Sequence, residues 1–209
     1  MRTVALIPAK PLAGGKSRLS GVLAPGERIA LNRALFMRTL GLALRCPALA
    51  AVVVASRDGE LASRARRHGA ACVGEAPGAG LNGALDLARD HAVGLGAEAV
   101  LVLPVDLPDL ATRDIAAMIA AAAGAPAVAI APDRRGSGTN ALLVAPPRLI
   151  GFGFGAASLA AHRAAALGAG VRPVMVRRRG LAFDLDTPDD LRLMPARRRR
   201  AALCTEVPG

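Results

Sequence analysis

The chain is expected to fold as one α/β domain around a mixed, mostly parallel sheet, and three observations carry that expectation. Short runs of Val, Leu and Ile alternate with Ala-rich segments of helical length, the pattern of strands joined by right-handed helical crossovers. The apolar fraction is 53% while aromatics contribute 2%, so the core has to be assembled from Ala, Val, Leu and Ile. With 209 residues, no internal repeat and no linker-like stretch, the chain suits a single generous domain. That domain is expected to span residues 1–194, with 195–209 forming a basic, flexible tail.

In order, Thr3–Ala9 (TVALIPA) reads as a buried first strand ending near Pro8, followed by a polar, glycine-bearing loop over Lys10–Ser20. A helix follows from Pro25 to Arg45, with Pro25 near its start and Leu31, Leu35 and Leu42 on one face. Ala50–Ala55 is a second strand, Asp58–His68 an arginine-rich helix stopped by Gly69, and Ala70–Val73 a third strand. A loop rich in Gly, Pro and Ala leads to Gly80-Leu81-Asn82, which opens a helix to about Val93. Ala99–Val105 is the most apolar strand and runs into Asp106; Thr112–Ala123 is the next helix. Ala127–Ala131 and Asn140–Ala145 bracket the turn DRRGSGT as an antiparallel pair. A GFGFG loop at 151–155, a helix over Ser158–Leu167 and a strand over Val171–Val176 complete the series.

The net charge of +11 is carried mostly by arginine and favours anionic ligands. Nucleic acid is the plainer partner for a basic protein, but there is no Tyr or Trp to stack on bases and no nucleic-acid-binding motif. The run Arg197–Arg200 reads as a solvated tail. Cys46, Cys72 and Cys204 are scattered without metal or disulfide spacing, which points to a reducing cytoplasm. No apolar run reaches the roughly 18 residues of a membrane span, and the N-terminus has no signal-peptide pattern.

Four segments carry chemistry. In PAKPLAGGKSRL (8–19), glycines such as Gly15 let backbone N–H groups approach phosphate oxygens, while Lys10, Lys16 and Arg18 offset their charge. The spacing fits neither the Walker nor the dinucleotide glycine pattern, and a basic loop without a ligand is the alternative. In LVLPVDLPDL (101–110), Asp106 stands at the carboxyl end of a strand, where ligands gather in open α/β sheets, and suits a metal or ribose contact. In LAFDLDTPDDL (181–191), Thr187-Pro188-Asp189-Asp190 builds a helix start with a capping-box spacing. That leaves Asp184 and Asp186, two apart and on the same side of an extended segment, as mutually repelling carboxylates. With Asp106 they form an oxygen-only set suited to magnesium rather than zinc. In GSGTNALLV (136–144) and FGFGAAS (152–158), small hydroxyl-bearing residues could cradle an oxyanion, or could be only a hairpin turn and a loop.

Taken in order, these segments resemble the guanylyltransferases of coenzyme F-420 biosynthesis, which act on 2-phospho-L-lactate, phosphoenolpyruvate or 3-phospho-D-glycerate according to branch. The resemblance covers about residues 3–194. It implies a single-domain, Rossmann-like (GT-A-like) nucleotidyltransferase fold shared with molybdopterin guanylyltransferases and sugar-nucleotide synthases, GTP as co-substrate, Mg2+, and a homodimer. Carried over by residue, it assigns Lys10, Gly15, Lys16 and Arg18 to the GTP phosphates and Gly80 and Asn82 to the guanine and ribose. Asp106, Asp184 and Asp186 fall to magnesium; Thr139, Gly155 and Ser158 fall to the three-carbon phospho-acid; Lys16 and Asp106 carry the catalytic charge. The family's FGxGS segment appears here as FGFGAAS, lengthened before the serine or shifted in alignment. The GTNALL wording leans toward phospholactate or phosphoglycerate over phosphoenolpyruvate. A phosphate nucleophile is already ionised, so no general base is needed, and His68, His91 and His162 read as helix-surface or rim residues. A molybdopterin or sugar-phosphate acceptor, or a basic nucleic-acid-binding protein, is the competing reading.

Overall fold

A computed structural model describes residues 1–74, 78, 80–194 and 196–203. Seven strands form one sheet: β1 (Thr3–Pro8), β2 (Ala51–Ala55), β3 (Ala71–Val73), β4 (Ala99–Val102), β5 (Ala127–Pro132), β6 (Thr139–Ala145) and β7 (Val174–Met175), in the order β3-β2-β1-β4-β6-β5-β7. All neighbours pair parallel except β6, which is antiparallel to both β4 and β5. The sheet is therefore mixed and mostly parallel, as expected. Its central strands are buried on both faces, which is why they read as continuous apolar runs.

The helices are α1 (Pro25–Leu44), α2 (Gly59–Arg67), α3 (Gly80–Gly94), α4 (Thr112–Ala120), α5 (Ser158–Gly168), α6 (Arg179–Ala182), α7 (Pro188–Leu193) and α8 (Ala196–Leu203). One face of the sheet is covered by α1, α2, α4 and α6, through Phe36, Leu40, Leu61, Ile115, Met118 and Leu181. The other is covered by α3 and α5, through Ala84, Leu85, Ala88, Leu159 and Ala166. A third cluster of Leu19, Leu31, Leu35, Leu185, Leu191 and Met194 joins the loop after β1 to α1 and α7, and Ala202 and Leu203 of α8 pack on it. The basic segment expected as a tail is thus helical over Ala196–Leu203, while 204–209, with Cys204, lie outside the described residues. The Gly-, Pro- and Ala-rich loop before α3 falls largely outside them too.

Three further features differ from expectation. The strand expected over Ala99–Val105 stops at Val102: Leu103 N–H still reaches Leu6 O at 2.9 Å, but Pro104 has no N–H to continue the ladder. The strand expected over Val171–Val176 shortens to two residues after Pro173. The short helix α6 was not foreseen, and its packing explains Gly180. A Cβ there would run into the Asp114 carboxylate and come within 2.9 Å of Asp109 O. Asp114 has no room to retreat, because it is buried and bonded to Arg178 Nε at 2.6 Å and Ala111 N at 3.0 Å. Gly180→Ala is expected to cost about 1–3 kcal/mol by overpacking; an unchanged urea midpoint would contradict this.

Candidate active site

The parallel strands β1, β2 and β4 deliver their carboxyl ends to one edge of the sheet, and antiparallel β6 begins at the same edge beside the end of β5. That edge opens into a cavity of about 750 Å³, room enough for a nucleotide together with a small acid. Lys10, Gly15, Lys16, Gly80, Asp106, Thr139, Gly155, Ser158, Asp184 and Asp186 all line it.

The loop after β1 is held at both ends by buried leucines, Leu12 and Leu19. Asp58, which caps α2 through bonds from Glu60 N and Leu61 N, also accepts from Leu12 N at 2.9 Å. Asn32 of α1 donates to Leu12 O at 2.9 Å and lies so close to Gly15 that a Cβ there would meet Asn32 Cγ at 2.8 Å. Gly15 is therefore glycine for room. The chain then turns through Lys16 in the left-handed region (φ 54°), a strained position for a side chain, which aims the lysine inward.

Asp106 and the segment 184–186 converge through one backbone bond, Leu185 N–H to Asp106 O at 2.9 Å. Leu185 is fully buried in the third apolar cluster, so its neighbours Asp184 and Asp186 face the other way, into the cavity. The Lys16 ammonium lies 2.9 Å from Asp186 Oδ1 and 3.5 Å from Asp106 Oδ2. Burial pulls the Lys16 pKa down, but the charges and hydrogen bonds of Asp106 and Asp186 outweigh it and leave it raised. Asp184 is held above the usual carboxylate range by burial and by the neighbouring charges of Asp106 and Asp186.

These residues suit a divalent metal at the level of two carboxylates. Asp106 and Asp186 already share one cation, the ammonium, and magnesium typically takes one or two carboxylates beside waters and phosphate oxygens. Among the described residues no three His, Cys, Asp or Glu side chains are gathered into a preformed metal cage; Asp184 lines the same cavity as Asp106 and Asp186.

Two residues assigned from sequence do not line the cavity. Arg18 is exposed, 3.9 Å from Asp186 Oδ2 at the rim. Asn82 uses both ends of its carboxamide on Phe154, accepting from its N–H at 2.9 Å and donating to its carbonyl at 3.1 Å. Its place in the structure is as a fastener of the GFGFG loop. Gly155 (φ 140°) and Ala157 (φ 55°) turn that loop so that Ser158 starts α5. There Ser158 Oγ accepts from Thr139 N–H at 2.9 Å.

Two residues do more than the sequence suggested. Asp190 forms the expected capping box with Thr187, accepting from Thr187 N at 2.7 Å and from Thr187 Oγ1 at 2.9 Å. It also accepts from Asp186 N at 3.0 Å and pairs with Arg134 of the β5–β6 turn, so it orients the Asp186 backbone. Burial pushes the Asp190 pKa up, but these bonds and the Arg134 charge leave it below its ordinary value. Its contribution to stability is full above pH 3.8 and is lost as pH falls through the lower folded value. Asp190→Ala is expected to cost about 2–4 kcal/mol at neutral pH. In urea titrations the gap to the parent protein should close in acid; a pH-independent gap would assign the loss to packing. His162, read as a helix or rim residue, is instead 1% exposed, while His68 and His91 are on the surface as expected.

Comparisons with known proteins bear on the family and the fold. The family described as guanylyl transferase CofC like matches residues 3–195. The chain belongs to this CofC-like guanylyl transferase family. A relative from Rubrobacter xylanophilus, named phosphoenolpyruvate guanylyltransferase, is 43% identical over 196 residues, 94% of this chain and 95% of that protein. A second of the same name, from Sphaerobacter thermophilus, is 41% identical over 91% of each chain. Among solved structures, a nucleotidyl transferase from Methanothermobacter thermautotroptrophicus aligns with TM-score 0.67 at 17% identity over 96% of this chain and 99% of the other. A 4-diphosphocytidyl-2C-methyl-D-erythritol synthase aligns with TM-score 0.63 at 19% identity over 92% and 95%. The last two show the nucleotidyltransferase fold. Among the described residues no helix of this family member is long and apolar enough to cross a membrane.

Proposed function

We propose that this CofC-like protein transfers GMP from GTP to the phosphate of phosphoenolpyruvate, releasing pyrophosphate, in coenzyme F-420 biosynthesis. What carries the reading is identity of about 40% across nearly the whole length of relatives named for that reaction. The lean toward phospholactate or phosphoglycerate drawn from GTNALL is corrected by those names.

The cavity supports the chemistry. An ionised phosphate oxygen of the acid attacks the α-phosphorus of GTP in line; the bond from that phosphorus to the bridging oxygen breaks and pyrophosphate departs. No proton has to be removed from the nucleophile, so the site needs no histidine base. Lys10, Lys16 and the Gly15 backbone stand where the triphosphate would enter, with Arg18 at the rim. Gly80 and the start of α3 border the space for guanine and ribose, with Asn82 behind it. Thr139, Gly155 and Ser158 face the acid. Asp106 and Asp186, with Asp184 beside them, would hold magnesium, which when bound supplies charge neutralisation of the phosphates. The rest is positioning and fixed charge from the chain's own groups.

Pyrophosphate release measured with GTP, magnesium and each of the three acids tests the reading. Phosphoenolpyruvate is expected to give the highest kcat/KM. A tenfold preference for 2-phospho-L-lactate or 3-phospho-D-glycerate would move the acceptor, and no release from GTP with any acid would sink the function.

A further inference from the structure

Behind the acceptor side of the cavity sits a buried histidine that the reaction above does not use. His162 lies four residues after Ser158 in α5, on the same helix face, and both its ring nitrogens are engaged. Gly153 N–H reaches Nε2 at 2.9 Å. A backbone N–H can only donate, so Nε2 presents its lone pair and a neutral ring must carry its proton on Nδ1. Burial holds the ring's pKa down at about 4, so the ring is neutral at working pH. Nδ1 in turn lies 2.9 Å from Thr139 Oγ1. Because Nδ1–H donates, the Thr139 oxygen accepts, and its hydroxyl hydrogen is left for another partner.

Ser158 repeats the arrangement. Its Oγ accepts from Thr139 N–H at 2.9 Å, which leaves its hydrogen as a donor. Both residues line the cavity, and no hydrogen bond among the described residues uses either hydrogen. The ring cannot drift from this geometry easily. Phe154 packs edge-on against it, 4.8 Å between centroids, and Asn82 pins Phe154 by both backbone groups.

We propose that His162 is a positioning residue for the acceptor: its tautomer, set by Gly153, turns the Thr139 hydroxyl into an obligate donor aimed at an anionic oxygen of the phospho-acid. The proposal rests on the reading of the Thr139 and Ser158 side as the acceptor subsite. A pair of hydroxyls fixed as donors suits carboxylate or phosphate oxygens and turns away ligand groups that must themselves donate.

The two nitrogens can be separated by substitution. His162→Gln places an oxygen near Nε2 and keeps the Gly153 bond but loses the donor to Thr139. His162→Asn places an amide nitrogen near Nδ1 and keeps the donor. In steady-state assays of the full chain, His162→Gln is expected to raise KM for phosphoenolpyruvate roughly tenfold, with KM for GTP within about twofold. His162→Asn should stay within about threefold on both. Thr139→Val should raise the phosphoenolpyruvate KM by a similar factor, and His162→Gln added to it should change nothing further. A folded His162→Gln with unchanged KM beside an impaired Thr139→Val overturns the role of His162 and leaves the acceptor subsite standing. An unchanged KM in Thr139→Val overturns the subsite and the proposal together. Should His162→Gln fail to fold, His162→Asn decides, a tenfold rise in its phosphoenolpyruvate KM overturning the proposal.

Discussion

Asp106→Asn is expected to reduce pyrophosphate release by a factor on the order of 10³ while leaving the fold intact. Asparagine keeps the shape but removes one of the two carboxylates that meet at the Lys16 ammonium, and it turns an acceptor-only group partly into a donor. The bond that joins this position to the segment 184–186 uses the Asp106 carbonyl, so the backbone scaffold survives the change. Circular dichroism and a melting temperature near that of the parent should accompany the loss of turnover. Parent-like turnover in the folded variant removes Asp106 from the reaction.

The second large effect is expected at Lys16. Lys16→Ala should weaken GTP binding by at least about tenfold in titration calorimetry, the loss expected for the proposed charge-assisted phosphate contact. An unchanged affinity excludes the contact. Without nucleotide the same variant should also be less stable, because Asp106 and Asp186 lose the cation between them and Asp184 remains crowded beside them. Alanine keeps the left-handed backbone strain that lysine bears, so the difference reports the ammonium. The sign with pH follows from the raised pKa: the stabilisation is complete below 10.5, the unfolded value, and fades only as pH climbs through the higher folded one. Added magnesium should raise the melting temperature of Lys16→Ala more than that of the parent; equal responses would mean the carboxylates do not attract a cation.

Much of the cavity is legible in the sequence. The two loops rich in glycine, the aspartate after the most apolar strand and the paired aspartates are local patterns, and each stands on the cavity wall. Arg18 and Asn82 show where local pattern runs out. Both sit in the right segments, yet the direction of a side chain depends on what its element packs against. Asn82 turns to the backbone of Phe154, and Arg18 stays outside because Leu19 takes the buried place. Asp58 and Asp190 carried a weaker signal: each has an ordinary capping role in its own helix, and its second role lies across the fold, while Asn32 carried none. Asp58 and Asn32 hold the loop after β1, and Asp190 holds the Asp186 backbone and the β5–β6 turn.

The sequence by itself determined the alternation of strands and helices, the antiparallel pair around DRRGSGT, the helix start at Thr187 and the family, because these depend on periodicity, capping chemistry and order along the chain. Only the tertiary structure decided that Lys16 rests between Asp106 and Asp186, residues 90 and 170 positions away. It also decided that His162 faces inward between Gly153 and Thr139. A histidine on an Ala-rich helix carries no mark of its burial; that follows from the face α5 turns to the sheet, and the protonation of its ring follows from a single N–H nine residues upstream.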